Sequence, residues 1–288
     1  MVLLIGLFHA FLMSTKGNRL KLPADVHILF LGNSTIETSV DDNLIPHSFN
    51  FAKSAEHIEF AYAKLKMMKR INPQIDTVVV GIDDGILFSS DTKWGRHEIN
   101  HPYYLTEFGI DDIITSLRYR GYEWNKNYLT SLYDTYKLLF IFTGKEPGRL
   151  DMGGYSHLVR DKLKEDVERL ARERATTVPD ASSSDRSVEK ISPVTLHFIN
   201  KMISFCKQND ITLVFMSSPK HKAVWNGRLF PQIHRRYFPF VRMYDFTEVV
   251  YPDSCYGDTY HLNFRGAEIF SRQLAKGFES VRSTEAGE

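Results

Sequence analysis

His27-Ile28-Leu29-Phe30-Leu31-Gly32-Asn33-Ser34-Thr35 sets the fold class and nominates a first reactive side chain. Four apolar residues in a row carry no alternation of polar and apolar positions, the mark of a strand covered on both faces. Gly32 ends the run by permitting a tight turn, and the turn presents the next polar side chain at the edge of the sheet. The same reading recurs downstream. Thr77-Val78-Val79-Val80-Gly81-Ile82 is the clearest strand of the chain, β-branched and uninterrupted. Residues 49–52, 211–216 and 241–246 complete a set of five.

Between the strands lie segments with helical spacing. Residues 56–70 place Ile58, Ala61, Leu65 and Met68 on one face and stop before Pro73. Ser192-Pro193 opens a helix with proline at its first position and runs to Gln208. From Asn263 a closing helix aligns Ala267, Phe270, Leu274 and Phe278. Strands alternating with helices predict an α/β protein: a three-layer α/β/α arrangement around a mostly parallel, five-stranded, flavodoxin-like sheet.

The chain has 288 residues, enough for one domain with a large core. Residues 23–288 read as that domain, interrupted by an insertion at about 90–192. The insertion contains Trp94, the cluster His101-Pro102-Tyr103-Tyr104, a helical stretch over 129–142 and a charged helix over 157–174 that reads as a solvated face. Residues 176–187 lack periodicity and read as a polar loop. Residues 1–22 form a separate hydrophobic segment. Its apolar run, residues 2–13, is too short to cross a bilayer core, which needs about 20 residues. No positive region precedes it and no small-residue cleavage site closes it, so the segment reads as a truncated membrane anchor.

A formal net charge of +1 and the lack of a basic stripe argue against nucleic-acid binding. Neither a Gly-x-Gly-x-x-Gly nor a P-loop supports a nucleotide binder. The two cysteines, Cys206 and Cys255, have no metal-ligand spacing and read as ordinary thiols.

Sites in open parallel sheets form at the carboxyl ends of the strands. Ser34 lies there after the first strand. Asn50-Phe51-Ala52-Lys53-Ser54-Ala55-Glu56-His57 follows the second, entering a helix whose backbone N–H groups can donate to an oxyanion. Asp83 and Asp84 follow the third. The paired acids lack a third ligand, so Asp83 reads as a hydrogen-bonding, loop-shaping residue rather than a metal ligand. It is expected to turn away and bond to a backbone N–H of its own loop, helped by the turn at Gly85. Near the end, Asp258-Thr259-Tyr260-His261 sets a carboxylate three residues before an imidazole. That spacing lets Asp258 hold one ring nitrogen while the other acts as a base toward Ser34. His57 is the rival base.

This ordered set resembles the SGNH, or GDSL-like, hydrolase superfamily, and within it the membrane-anchored branch near the D-alanyl transfer proteins of teichoic acid and the alginate-type O-acetylation proteins. Gly32-Asn33-Ser34 is similar to the family's Gly-Asp-Ser block. Asp258-x-x-His261, with Leu262-Asn263 and Gly266-Ala267 behind it, is similar to the last block. The resemblance covers about residues 25–90 and 195–280. It implies Ser34 as nucleophile, His261 as base and Asp258 as its orienting acid. Ala55 stands where the family carries its oxyanion glycine, and Asp83 where many members have asparagine. The activity implied is a serine esterase or O-acyltransferase acting on acyl esters of a cell-surface glycan, with no cofactor or metal. The partners implied are an acylated glycan or small ester and a membrane acyl-export partner, placing the protein outside the cytoplasm on a membrane anchor. The alternative is a catalytically inactive SGNH-like module that binds glycan or scaffolds a complex, which Asp83 favours.

Overall fold

The computed structural model describes residues 20–83, 86–87, 107–120, 126, 154–176, 191–224 and 229–285. The apolar N-terminal run, Asp84 and Gly85, Trp94, residues 101–104, the helical stretch expected over 129–142 and residues 177–187 lie outside them.

Five strands form one parallel sheet: β1 (Ile28–Leu31), β2 (Ser48–Asn50), β3 (Thr77–Gly81), β4 (Thr212–Ser217) and β5 (Arg242–Asp245), in the order β2-β1-β3-β4-β5. This is the flavodoxin-like order, in which the direction of winding reverses between β1 and β3. In register, Phe30 faces Asn50, Leu31 faces Val80, and Gly81 faces Met216.

Seven helices are described: α1 (Ser34–Ser39), α2 (Ile58–Ile71), α3 (Ile110–Tyr119), α4 (Leu163–Thr176), α5 (Pro193–Gln208), α6 (Leu229–Tyr237) and α7 (Phe264–Glu285). The strands' apolar runs feed two cores, one on each face, because successive side chains point to opposite sides. Leu29, Leu31, Val78, Val80 and Phe215 pack with residues of α2, α5 and α6. Ile28, Phe30, Val79, Val214 and Met216 pack with Ile36 of α1 and with Phe270 and Leu274 of α7. The result is a three-layer α/β/α fold. Cys206 belongs to the first core and Cys255 to the second, so the sheet separates the two free thiols.

The charged helix of the insertion is the main departure from the sequence reading. It begins at Leu163 rather than near residue 157. Residues 157–162 are drawn into non-helical backbone because their hydrogen bonds go elsewhere: Lys162 N–H donates to Gly257 O at 2.8 Å, and Leu158 O accepts from Phe264 N–H at 3.1 Å. The strand after α1 ends at Asn50 rather than Ala52. Phe51 N–H still reaches Phe30 O at 2.8 Å and Lys53 N–H reaches Gly32 O at 3.0 Å, so the chain continues beside β1 toward the site.

Candidate active site

The carboxyl ends of β1 and β3 meet where the sheet changes its direction of winding. Gly32 leaves β1 with φ of 143°, a backbone value that side-chain-bearing residues rarely adopt. Asn33 then caps α1, its Oδ1 accepting from Thr35 N–H at 3.0 Å and from Thr35 Oγ1 at 2.8 Å. Ser34 is the first residue of that helix and is half-buried.

The imidazole comes from the opposite end of the chain. Oδ1 of Asp258 accepts from the N–H of Tyr260 at 2.8 Å and of His261 at 2.9 Å, tying the loop into a compact turn. Tyr256 and Leu262 pair as an isolated antiparallel bridge at its base, and Asn263 caps α7 through Arg265 and Gly266 N–H. Inside this frame His261 Nδ1 sits 2.8 and 2.9 Å from the two oxygens of Asp258. Its Nε2 lies 2.8 Å from Ser34 Oγ. Ser34 thus joins His261 and Asp258, more than 220 residues away, in one continuous hydrogen-bonded row. His57, the rival base, is instead the N-cap residue of α2.

Burial and the adjacent Arg160 guanidinium depress the His261 pKa to about 4, with Lys220 acting in the same direction, while Asp83 and Glu37 oppose them. The imidazole is therefore neutral at neutral pH, the form in which Nε2 can accept a proton.

Ala55 adopts φ of 59°, the left-handed region that favours glycine. The loop carrying it is held by Glu37, one turn along α1 from Ser34. The Glu37 carboxylate accepts a hydrogen bond from Ser54 Oγ and pairs with Lys53 Nζ at 3.4 Å. Asp83 is bonded on both oxygens: Oδ1 accepts from Ile86 N–H at 2.9 Å and Oδ2 from the Asn33 side-chain amide at 3.1 Å. The first bond is the loop contact expected of it. The second ties it to the residue preceding Ser34, which local sequence does not reveal. Arg160 and Glu37 were likewise invisible as site residues. Arg160 donates to Asp258 Oδ2 from 98 positions away, out of a segment that reads as a solvated charged helix.

Asp111, Asp112 and His197 form a separate cluster with metal-ligand side chains on α3 and α5. Lys201 Nζ lies 2.6 Å from each of the two carboxylates, so an ammonium already bridges them and offsets one of their two charges. No family model matches this chain, and neither a curated protein nor a solved structure matches it. The likeness to the SGNH superfamily therefore stands on the residues quoted above.

Proposed function

We propose that this protein is a serine esterase or O-acyltransferase of SGNH type, acting on acyl esters of a cell-surface glycan. The observation that carries the reading is the row Ser34 Oγ, His261 Nε2, His261 Nδ1, Asp258, with each step at 2.8–2.9 Å. A serine hydroxyl is a weak nucleophile until a positioned base takes its proton. Here Ser34 Oγ attacks the acyl carbonyl as its proton passes to Nε2. Asp258 stabilises the imidazolium that forms and fixes the tautomer with hydrogen on Nδ1. The backbone N–H groups of Ser34 and Ala55 are the donors assigned to the oxyanion. Collapse of the tetrahedral species expels the alcohol with the proton from His261 and leaves an acyl-Ser34 ester. Water or a sugar hydroxyl then takes the acyl group by the same steps reversed.

The glycan substrate, the export partner and the extracytoplasmic, membrane-anchored setting rest on the family resemblance and on the apolar run at residues 2–13. Among the described residues no helix is long and apolar enough to cross a membrane.

A second reading, a glycan-binding or scaffold module without turnover, is favoured by the Asp83 carboxylate held at the edge of the site through Asn33. Hydrolysis of a small acetyl ester separates the two. The esterase reading expects turnover that Ser34→Ala lowers by about 10⁴-fold or more. It also expects an acid limb of kcat/KM centred near the depressed His261 value of about 4. Ser34→Ala turnover equal to wild type would end that reading.

A further inference from the structure

The insertion between β3 and α5 is not only an appendage on the sheet. Part of it, residues 154–162, runs as a strap across the elements that carry the triad. Ser156 N–H donates to Glu37 O of α1 at 2.9 Å, and Lys162 N–H donates to Gly257 O, next to Asp258. Phe264 N–H, at the start of α7, donates to Leu158 O, while the His157 ring stacks on Phe264 at 4.7 Å between centroids. Gly257 admits the strap by lacking a side chain: a Cβ there would stand 2.8 Å from Leu158 Cδ2 and 2.9 Å from Arg160 O. These bonds fix the backbone on both sides of Arg160, whose Nη2 donates to Asp258 Oδ2 and lies 3.4 Å from His261 Nδ1.

We propose that Arg160 is a positioning residue of the catalytic triad, delivered by the inserted strap to clamp Asp258 in the orientation that holds His261 toward Ser34. The inference rests on the acyl-transfer reading above and assigns the insertion a part in it. Oδ1 of Asp258 takes both loop N–H groups, while Oδ2, also 2.9 Å from Nδ1, receives none of them and is the oxygen through which Arg160 can set the carboxylate plane. A guanidinium is suited to hold it, being planar, permanently charged and multiply donating. Nδ1 and the guanidinium are both donors toward the carboxylate, so their 3.4 Å approach is a contact between a cation and the ring, not a hydrogen bond. That cation opposes formation of imidazolium. The charged groups acting on the ring are Asp258 on its own loop, Glu37 from α1, Asp83 after β3, Lys220 after β4 and Arg160 from the strap. The clamp thus trades basicity of His261 for order. The site rests with a neutral, aimed imidazole and stays competent in acid.

The test is an NMR titration of the histidine rings in the full chain, which needs no substrate. His261 is assigned among the 11 histidines by the signal missing from His261→Gln. Arg160→Met is expected to raise the His261 titration midpoint by about one unit or more, the usual effect of removing a charge at this range. Arg160→Lys, which keeps the charge but not the fork, should restore most of the midpoint. Both variants should lose about tenfold to a hundredfold in kcat on a small acetyl ester, with KM little changed, since misaimed groups cost rate rather than binding. Arg160→Gln is a second neutral variant should the methionine disturb the fold. A His261 midpoint within about 0.3 unit of wild type in a natively folded neutral variant would overturn the proposal. Failure of the acyl-transfer reading is seen separately, as ester turnover indifferent to Ser34→Ala, and leaves the titration result to judge the clamp.

Discussion

Asp83 shows how a carboxylate can sit beside a proposed oxyanion site and still belong to the architecture. Both of its oxygens are engaged, one by Ile86 N–H and one by the amide of Asn33, whose own oxygen caps the helix that begins with Ser34. An asparagine at this position would keep the first bond through its oxygen but would bring its NH₂ against the NH₂ of Asn33. Two donors cannot satisfy each other. Asp83→Asn is therefore expected to lower stability by about 1 kcal/mol, the worth of one side-chain hydrogen bond, and under the proposed acyl-transfer reading to bring no gain in turnover of a small acetyl ester. A rise of tenfold or more in kcat/KM, about 1.4 kcal/mol at the transition state, would show instead that position 83 faces the oxyanion. The residue types at the site were legible because glycine, serine, aspartate and histidine announce turns and acid–base chemistry locally. Glu37, buried and bonded to Ser54 across 17 positions, announces nothing, because an acid in a short polar segment reads as surface.

At the scale of elements, Ser34 owes its place to two backbones that come close together. Gly32 and Gly81 end β1 and β3, and Ile36 of α1 drops into the space that both glycines leave open. A Cβ on Gly81 would lie 2.1 Å from Ile36 Cγ1, and one on Gly32 would lie 3.0 Å from the same atom and 3.2 Å from Gly81 Cα. The first turn of α1, and Ser34 with it, is seated on this contact. Gly81→Ala should cost about 1–3 kcal/mol by overpacking a filled core and should displace α1. Pairing it with Ile36→Val, which shortens the side chain, should return part of the stability. Equal urea midpoints for Gly81→Ala and wild type would show that α1 does not depend on this contact. The central strands β1, β3 and β4 were plain in the sequence, since burial on both faces leaves an apolar run. The start of α4 was not: residues 157–162 have helical composition, and partners in Gly257 and Phe264 pull them out of the helix.

For the whole molecule, the notable cost is a buried ion pair beneath the loop that bears Ala55. Lys64 Nζ lies 2.7 Å from Glu56 Oε2, with the two side chains only 3% and 2% exposed, and it also donates to Phe51 O at 2.7 Å. Burial raises Glu56 to about 7 and lowers Lys64, each partner restraining the other's shift. The sign follows from linkage. The folded state holds the Glu56 proton more tightly than the unfolded chain, whose carboxyl titrates near 4.5. At this residue, stability is therefore fullest below the unfolded value and is lost as pH rises through about 7. Lys64→Met removes the ammonium that favours the carboxylate and should cost about 3–5 kcal/mol at pH 8, where an unpaired charge is left buried. The cost should shrink toward pH 5, where Glu56 takes up its proton. Glu56→Gln combined with Lys64→Met should destabilise less than Lys64→Met alone. An equal loss at pH 8 and pH 5 by urea unfolding would show that Glu56 is not the group left stranded.

The amino-acid sequence by itself determined the layers of this molecule: five strands, the central ones buried on both faces, and the amphipathic helices between them. Those patterns are set within a dozen residues by backbone period and transfer of apolar surface from water. It also marked Ser34, Asp258 and His261, because each sits beside a strand end or in a turn that local chemistry defines. Only the tertiary structure decided that Ser34 and His261 stand 2.8 Å apart, that Asp83 binds Asn33, and that Arg160 leaves a charged segment to hold Asp258. These contacts join residues 50 to 227 positions apart. No local period encodes such a meeting; it is fixed when the strand order, the glycine approaches and the strap's backbone bonds bring distant charges to one end of the sheet.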